Sequence, residues 1–278
     1  MGYPQRVVCL TEETTETLYR VGAEDRIVGI SGFTVRPERA RREKPKVSAF
    51  TSAKIGEILK LEPDLVLGFS DMQADIAAEL VRRGVAVHIF NQRSIAGIIN
   101  MIEVLGGMLG ISERTEALAG ELADRVERIR RERSERPRRP KVYFEEWADP
   151  MISGIGWVSE LVQVAGGEDI FPERAIEPGA RERIIADPGE VIERAPDIII
   201  GSWCGRKFRP EQVAERPGWQ DVPAVRNGFV HEIKSPLILQ PGPAALTDGL
   251  DALCGIIDAW YREGTSTSAY RRSYQASN

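Results

Sequence analysis

The segment Glu57–Leu67 reads EILKLEPDLVL, and the segment Glu190–Ile200 reads EVIERAPDIII. In both segments a helical pattern ends at a Pro-Asp pair, and a run of aliphatic residues follows. Proline cannot continue a helix, and a short continuous aliphatic run is typical of a strand that is covered on both faces. The echo predicts two lobes of like topology, although any two αβ units could share such a pattern.

Strands and helices alternate outward from both segments. The predicted strands are Arg6–Leu10, Ile27–Ile30, Leu65–Gly68, Val85–Phe90, Lys141–Phe144, Asp197–Ile200 and Phe229–Ile233. The helical patterns are Thr15–Val21, Ile55–Leu61, Met72–Arg83, Ile98–Leu109, Trp157–Ala165, a capped helix opened by Asp187, and Pro243–Tyr261. This alternation predicts an α/β fold in which each lobe has a mainly parallel sheet flanked by helices.

Residues Ser112–Ser134 are predicted to form one long helix, because apolar residues recur there at helical spacing and prolines follow. At about 1.5 Å per residue such a helix spans roughly 35 Å, enough to cross a small protein. We therefore predict an N-terminal α/β lobe at residues 1–110, a connecting helix at 111–137, a C-terminal α/β lobe at 138–262 and a loose polar tail at 263–278.

Composition argues against several classes of function. The chain has 278 residues and a formal net charge of −5, so we expect no nucleic-acid partner. The amino terminus MGYPQRVVCL lacks the features of a signal peptide, and no apolar run is long enough for membrane insertion. Three cysteines and two histidines at wide spacing predict no disulfide framework and no metal site. We expect a monomer, cytoplasmic as the sequence stands and periplasmic if a leader has been removed.

Several motifs occur in a recognisable order. They are RVVCLTEETTETLYRVGAEDRIVGIS, KVSAFTSAKIGEILKLEPDLVLG, GVAVHIF, LVQVAGGEDIF, DPGEVIERAPDIIIG and RPGWQDVPAVRNGFVHEI. Over residues 6–262 the chain resembles the helix-linked (class III) substrate-binding proteins of ABC importers, which bind cobalamin, haem or ferric siderophores. The SGF, VSAF and AGGEDIF segments are most similar to the cobalamin-binding branch.

The resemblance implies that a small molecule lies in a cleft between the lobes, contacted by loops after the strands, without a catalytic residue or cofactor. Open α/β sheets bind ligands at the same carboxyl ends. The candidate ligand-binding residues of the first lobe are Glu12, Glu13, Thr14, Phe33, Thr34, Phe50, Phe69 and Asp71. Those of the second are Glu145, Glu146, Trp147, Gly154, Trp157, Trp203, Cys204 and Gln240.

Aromatic residues and acidic pairs are the most informative candidates. Large flat rings in loops suit a macrocyclic ligand, and we expect Phe50 and Trp203 to face each other; the alternative is core packing. The pairs Glu12-Glu13 and Glu145-Glu146 could bind ligand amides, hydroxyls or a cation, or could cap the helices that follow. Cys204 could be a soft metal ligand or an unreactive thiol.

A group of arginines in the segment Ser31–Ala53, which we predict to be a long loop, has two interpretations. Arg36, Arg39, Arg41 and Arg42 could face an anionic ligand, or they could be solvent-exposed. We favour exposure.

Permease docking is less well supported than ligand binding. In the members that the chain resembles, a surface glutamate of each lobe engages the permease, and Gly56 and Gly189 stand at those positions here. Glu57 and Glu190 come one residue later, which turns a helical side chain by about 100°. An ABC permease partner is therefore doubtful.

Three functions remain open from the sequence. The leading hypothesis is a binding protein for a cobalamin-like corrinoid, and the second is a binder of haem, a ferric siderophore or another metal chelate. The third is a metal-dependent enzyme that uses the acidic pairs. The last is disfavoured because motifs of hydrolases, metalloproteases and phosphate-binding loops do not occur in the sequence.

Overall fold

The computed structural model describes residues 2–275, with side chains described as far as residue 263. The chain divides into two compact units. Met1–Arg125 and Gln240–Leu246 form the first unit, and Val126–Leu239 and Thr247–Asn278 form the second. Residues 240–246, which we assigned to the C-terminal lobe, therefore group with the first unit.

The first unit is built on one sheet. Its strands are β1 (Val7–Cys9), β2 (Ile27–Ser31), β3 (Lys46–Ala49), β4 (Ser52–Ala53), β5 (Leu65–Phe69) and β6 (Val87–Phe90). Its helices are α1 (Glu12–Arg20), α2 (Ala40–Glu43), α3 (Ile55–Lys60), α4 (Ala74–Arg82) and α5 (Ile95–Leu109), with short 3-10 helices at Glu24–Arg26 and Asp71–Gln73. The strand order is β4-β3-β2-β1-β5-β6, with β3 and β4 antiparallel and the other neighbours parallel.

The core of this sheet explains why its strands are continuously apolar. Val8 and Val66 of neighbouring central strands are fully buried and pack with Ile58 of α3 and Leu80 of α4. Helices on the sheet faces remove both sides of a strand from water, so alternation of apolar and polar residues is lost.

Helix α6 (Ser112–Ser134) begins in the first unit and ends in the second. The strands of the second unit are β7 (Lys141–Ala148), β8 (Met151–Ser153), β9 (Glu168–Asp169), β10 (Ile198–Gly201) and β11 (Val230–Glu232). Its helices are α7 (Gly156–Val164), α8 (Pro172–Ala175), α9 (Gly189–Arg194), α10 (Pro210–Ala214), α11 (Pro223–Arg226), α12 (Ser235–Ile238) and α13 (Leu250–Gln275), with a 3-10 helix at Trp219–Asp221. A π-helix, Ala245–Gly249, precedes α13.

The second sheet has the order β11-β10-β7-β8, with β9 also paired to β7. Strands β7 and β8 are antiparallel, and β7, β9, β10 and β11 pair in parallel. Its core is aromatic: the buried ring of Tyr143 makes edge-on contacts with Phe171 and Trp219, with ring centroids 5.8 and 6.1 Å apart.

The predicted α/β class with two sheets flanked by helices is confirmed, and α6 has the predicted bounds. The segment Ser31–Ala53, predicted to be a loop, instead contains α2, β3 and β4. These elements are short and rich in lysine and arginine, so their apolar pattern is weak. Where a loose tail was predicted, α13 continues to Gln275, and residues 276–278 lie outside the described residues. Within residues 2–275, no helix has the length and apolar character needed to cross a bilayer.

Candidate ligand-binding site

The loops at the carboxyl edge of the first sheet carry most of the candidate residues of that unit. Strands β1, β2, β3, β5 and β6 are parallel, so their carboxyl ends lie at one edge. Glu12 follows β1, Phe33 follows β2, Phe50 follows β3 and Asp71 follows β5. The sequence thus brings these four side chains to the edge where open α/β sheets bind ligands.

Apolar side chains are exposed in these loops. Phe33 is 55% exposed, and Met72, next to the exposed Asp71, is 56% exposed. Phe50 is half-buried, and Phe69 is buried with the Arg93 guanidinium 4.6 Å from its ring centroid. An apolar side chain left in water at a strand end favours contact with an apolar ligand surface.

Both threonine candidates, Thr14 and Thr34, are buried. The hydroxyl of Thr14 donates to the Thr11 carbonyl within the first turn of α1. Thr34 is fully buried, and its carbonyl and that of Gly32 each accept a 2.8 Å hydrogen bond from Arg41. Arg41 therefore fixes the loop that carries Phe33.

The Glu12-Glu13 pair begins α1 and is almost entirely buried. Burial raises the pKa of Glu12 to about 8, with a further contribution from the neighbouring charge of Glu13. Burial likewise raises the pKa of Glu13 to about 7, although its Oε1 accepts a 2.5 Å hydrogen bond from the Thr11 hydroxyl. Gly242 packs directly against Glu13, where a Cβ would lie 2.5 Å from the Glu13 Cβ. Burial therefore favours the protonated form of both carboxyls.

In the second unit, Glu145 of β7 is fully buried within a hydrogen-bond network. Arg216 donates to its two carboxylate oxygens at 2.6 and 2.8 Å. The Tyr143 hydroxyl and the Trp203 indole N–H also donate to it, each at 3.0 Å. These four donors occupy the carboxylate, so the structure gives Glu145 an internal role.

Glu146 stands at the irregular pairing of β7 with β8 and meets a different arginine. It pairs with Arg183, at 2.5 and 3.3 Å, and Arg183 also donates to the Ser153 carbonyl at 2.5 Å. Arg183 is only 1% exposed, whereas the side chain of Glu146 is 23% exposed. Glu146 is therefore reachable from solvent but held by one buried arginine.

The remaining candidates of the second group differ in accessibility. Trp157 and Trp203 are buried, and the Trp157 indole N–H donates to the Ile238 carbonyl at 2.8 Å. Gly154 is buried against Phe144. Trp147, its indole bonded to the Asp149 carbonyl, and Gln240 of the first unit are half-buried, and Cys204 is exposed.

Of the four arginines of the β2–β3 segment, Arg36, Arg39 and Arg42 have carboxylate partners, and Arg36 and Arg41 are half-buried rather than exposed. Glu16 pairs with Arg36 at 3.5 Å and with Arg20 at 3.0 Å. Arg39 pairs with Glu24 at 2.5 Å and lies over the Tyr19 ring. A groove of about 530 Å³ runs along these side chains, and its arginines are balanced by these glutamates. Arg42 pairs with Glu38 on the exposed surface, as we expected of a solvent-facing arginine.

The sequence did not predict the residues that hydrogen-bond to the candidate acids and to the backbone of the candidate loops. Arg183 and Arg216 bind the second acidic pair from loops far along the chain, and Gln73 binds the Phe50 and Phe69 backbones. Arg183 and Gln73 stand outside the motifs quoted above, and Arg216 opens the RPGWQDVPAVRNGFVHEI motif without any sign there of its partner. Only the presence of buried acids signalled that cationic partners were needed.

The two proposed docking glutamates also differ. Glu57 is exposed on α3 and pairs with Lys60 at 2.8 Å. Glu190 of α9 is half-buried and accepts two hydrogen bonds from Arg174, at 2.7 and 2.8 Å. Glu57 is thus the more available of the two for a partner.

Two units, each built on a mainly parallel sheet flanked by helices, are typical of α/β binding proteins, which bind ligands at the carboxyl ends of their strands. The family model described as periplasmic binding protein matches residues 7–237, and the chain belongs to that family. The vitamin B12-binding protein of Vibrio campbellii is 26% identical over 246 residues, which cover 86% of this chain and 85% of that protein.

Solved structures share the fold. The periplasmic vitamin B12 binding protein of Vibrio cholerae has a TM-score of 0.74 at 20% identity, covering 94% of this chain and 99% of that one. The periplasmic haem-binding protein of Roseiflexus sp. RS-1 has a TM-score of 0.76 at 22% identity, and the match covers 91% of this chain and 99% of that one. These likenesses confirm the predicted resemblance to substrate-binding proteins.

Proposed function

We propose that this chain is the substrate-binding component of an ABC importer, that it binds a cobalamin-like corrinoid, and that it releases the ligand unchanged. The observation that carries the proposal is the similarity to a vitamin B12-binding protein over 86% of the chain. Family membership supports a binding role, because that family is described as periplasmic binding proteins. Uptake would require the chain to work on the side of the membrane from which the ligand arrives.

Exposed and half-buried apolar side chains in the strand-end loops of the first unit suit such a ligand. A corrin ring is large and mostly apolar, and Phe33, Phe50 and Met72 offer apolar contact at the strand ends. Asp71, exposed in the same group of loops, can accept hydrogen bonds from ligand amides. In the second unit, Trp147 and Cys204 are the accessible candidates, and we retain them in the proposed site.

Haem is the second candidate, with ferric siderophores a more distant one. A porphyrin is a flat apolar macrocycle, so it would use the same exposed Phe33 surface. The haem-binding relative of Roseiflexus shares the fold at a TM-score of 0.76. For permease contact we propose Glu57, because it is exposed, while Glu190 is bound to Arg174.

Titration with three probes tests the proposal: cyanocobalamin, haemin and the ferric complex of desferrioxamine. We expect a saturable change in the absorbance of cyanocobalamin and in the heat of binding, with one ligand per chain. Phe33→Ala should weaken cyanocobalamin binding roughly tenfold, because it removes an exposed ring from the contact surface. No turnover product should appear after prolonged incubation.

Val81→Ala is the matched control for Phe33→Ala. Val81 is 59% exposed, but it lies near the end of α4, which runs back from the carboxyl edge of the sheet. Its truncation should leave the dissociation constant unchanged within about twofold. A flat response to cyanocobalamin with saturable binding of haemin would replace the first candidate by the second, and no response to any probe would refute the proposed function.

A further inference from the structure

Gln73 is a fully buried glutamine in the 3-10 helix that follows β5. Its Oε1 accepts a 3.0 Å hydrogen bond from the Phe69 backbone N–H. Its Nε2 donates to the Phe50 carbonyl at 2.8 Å and to the Leu10 carbonyl at 3.5 Å. A carboxamide has two N–H donors and one oxygen, so each donor and the oxygen has a backbone partner here.

These partners belong to three different strand ends. Leu10 follows β1, Phe50 follows β3, and Phe69 is the last residue of β5. The space for the carboxamide depends on a glycine, since a Cβ at Gly68 would lie 2.6 Å from the Gln73 Oε1. One buried side chain therefore ties together the loops that carry two candidate aromatic residues.

The Phe50 loop is held by few other backbone contacts of its own hairpin. Strands β3 and β4 pair through Ser48 with Ala53 and Ala49 with Ser52, and the Lys54 N–H donates to the Val47 carbonyl at 2.8 Å. Phe50 and Thr51 form the turn between them, at the edge of the sheet. Strand β3 is also held by β2, but β4 is a two-residue edge strand, so an anchor on the turn contributes to where the Phe50 ring lies.

We propose that Gln73 is a positioning residue of the ligand site, which fixes the Phe50 ring relative to Phe69 before the ligand arrives. The proposal rests on the proposed function, because it assumes that Phe50 contacts the ligand. Gln73 itself is fully buried, so it acts through the backbone and makes no ligand contact. Preorganisation of this kind strengthens binding because the ordering of the loop is complete in the free protein.

The test is a double-mutant cycle with cyanocobalamin as the probe. Gln73→Met keeps the side-chain length but removes the amide, and it should weaken binding about tenfold. In a Phe50→Ala background the same change should matter less than about twofold, because the positioned ring is gone. In a Phe33→Ala background the tenfold loss should persist, since Gln73 does not bind that loop.

Thr115→Val controls for general destabilisation. Thr115 is a buried residue at the start of α6, with its hydroxyl bonded to the Ser112 carbonyl, away from the strand-end loops. Thr115→Val should lower the midpoint of thermal unfolding while leaving the affinity for cyanocobalamin unchanged. Amide hydrogen exchange of residues 47–54 should accelerate in Gln73→Met and stay unchanged in Thr115→Val.

Should Gln73→Met fail to fold, Gln73→Glu provides a second variant. Its carboxylate can still accept from the Phe69 N–H but cannot donate to the Phe50 carbonyl. Burial and the facing carbonyls favour the protonated carboxyl, which keeps a donor, so affinity should fall only as alkaline pH ionises the group and should recover on acidification.

Unchanged affinity in Gln73→Met, or an equal loss in the Phe50→Ala background, would overturn the positioning role while leaving the proposed function intact. A wild-type protein that binds none of the probes would instead overturn the proposed function.

Discussion

Two double glutamates occupy related sequence positions and have opposite surroundings. Glu12-Glu13 follows β1 and starts α1, so its carboxyl groups meet the Thr11 hydroxyl and the backbone N–H groups of a helix start. Glu145-Glu146 lies inside β7, which continues to Ala148 because β8 pairs with its end. Each carboxylate of this pair meets its own arginine, Arg216 for Glu145 and Arg183 for Glu146.

The difference shows how the surroundings of a buried carboxyl decide whether its negative charge is compensated. In the first pair, desolvation dominates and raises the pKa of both carboxyls. In the second pair, a guanidinium lies within 2.6 Å of each carboxylate and compensates for desolvation. The first pair is therefore a proton-binding site, and the second is a structural ion-pair network. Substitutions should separate the two.

The largest effect is expected for Arg216→Met. It leaves Glu145 fully buried with its Tyr143 and Trp203 donors but without its cation. We expect the free energy of unfolding to fall by about 3–5 kcal/mol, as for other buried pairs that lose one partner. Urea unfolding monitored by circular dichroism measures this, and the double variant with Glu145→Met should recover part of the loss.

Arg138→Met is the control for that substitution. Arg138 is 66% exposed and pairs with Asp197 at 3.0 Å, so its removal should cost less than about 1 kcal/mol. Equal losses in the two variants would mean that burial does not set the strength of these pairs.

Arg183→Met should have a smaller effect than Arg216→Met. Arg183 is as buried as Glu145, but the side chain of its partner Glu146 is 23% exposed and can be solvated when the arginine is lost. We expect a loss of about 2 kcal/mol, mainly from the charged hydrogen bonds to Glu146 and the Ser153 carbonyl. The same urea experiment checks the order, and a larger loss than for Arg216→Met would reverse the comparison.

Much of the fold could be predicted because its signals are local. The Pro-Asp echoes and the aliphatic runs identified β5 and β10, and the apolar stripe gave the bounds of α6. Strands β3, β4 and β8 were missed because they are short, and in β3 and β4 the apolar residues are few; neighbouring strands stabilise them more than their own sequence does.

The site was harder to predict because its contacts are long-range. The loops that carry Phe33 and Phe50 follow from strand order, since parallel strands end at one edge. The partner of Glu145 stands 71 positions along the chain, and the partner of Glu146 stands 37 positions along. No spacing rule links residues so far apart, and burial of Trp203 depends on the same tertiary packing.

Glu12→Gln should change stability little near pH 5 and raise it at higher pH, and this sign distinguishes the first pair from the second. The folded-state pKa of Glu12 is about 8, above the usual value for glutamate, so the folded chain binds more protons than the unfolded chain between about pH 4.5 and pH 8. The contribution of Glu12 to stability is therefore complete below about pH 4.5 and is lost as the pH rises through the folded-state value.

Removing that proton-binding group should flatten the pH dependence. We expect Glu12→Gln to match the wild type near pH 5 and to exceed its free energy of unfolding at pH 8 by up to about 3–4 kcal/mol, the size that the full pKa shift of Glu12 implies. Glu57→Gln is the control, because Lys60 lowers the pKa of that exposed carboxyl and no gain at pH 8 should follow. If Glu12→Gln is instead less stable than the wild type at pH 8, the Glu12 carboxylate has a cationic partner after all, and the two pairs are alike.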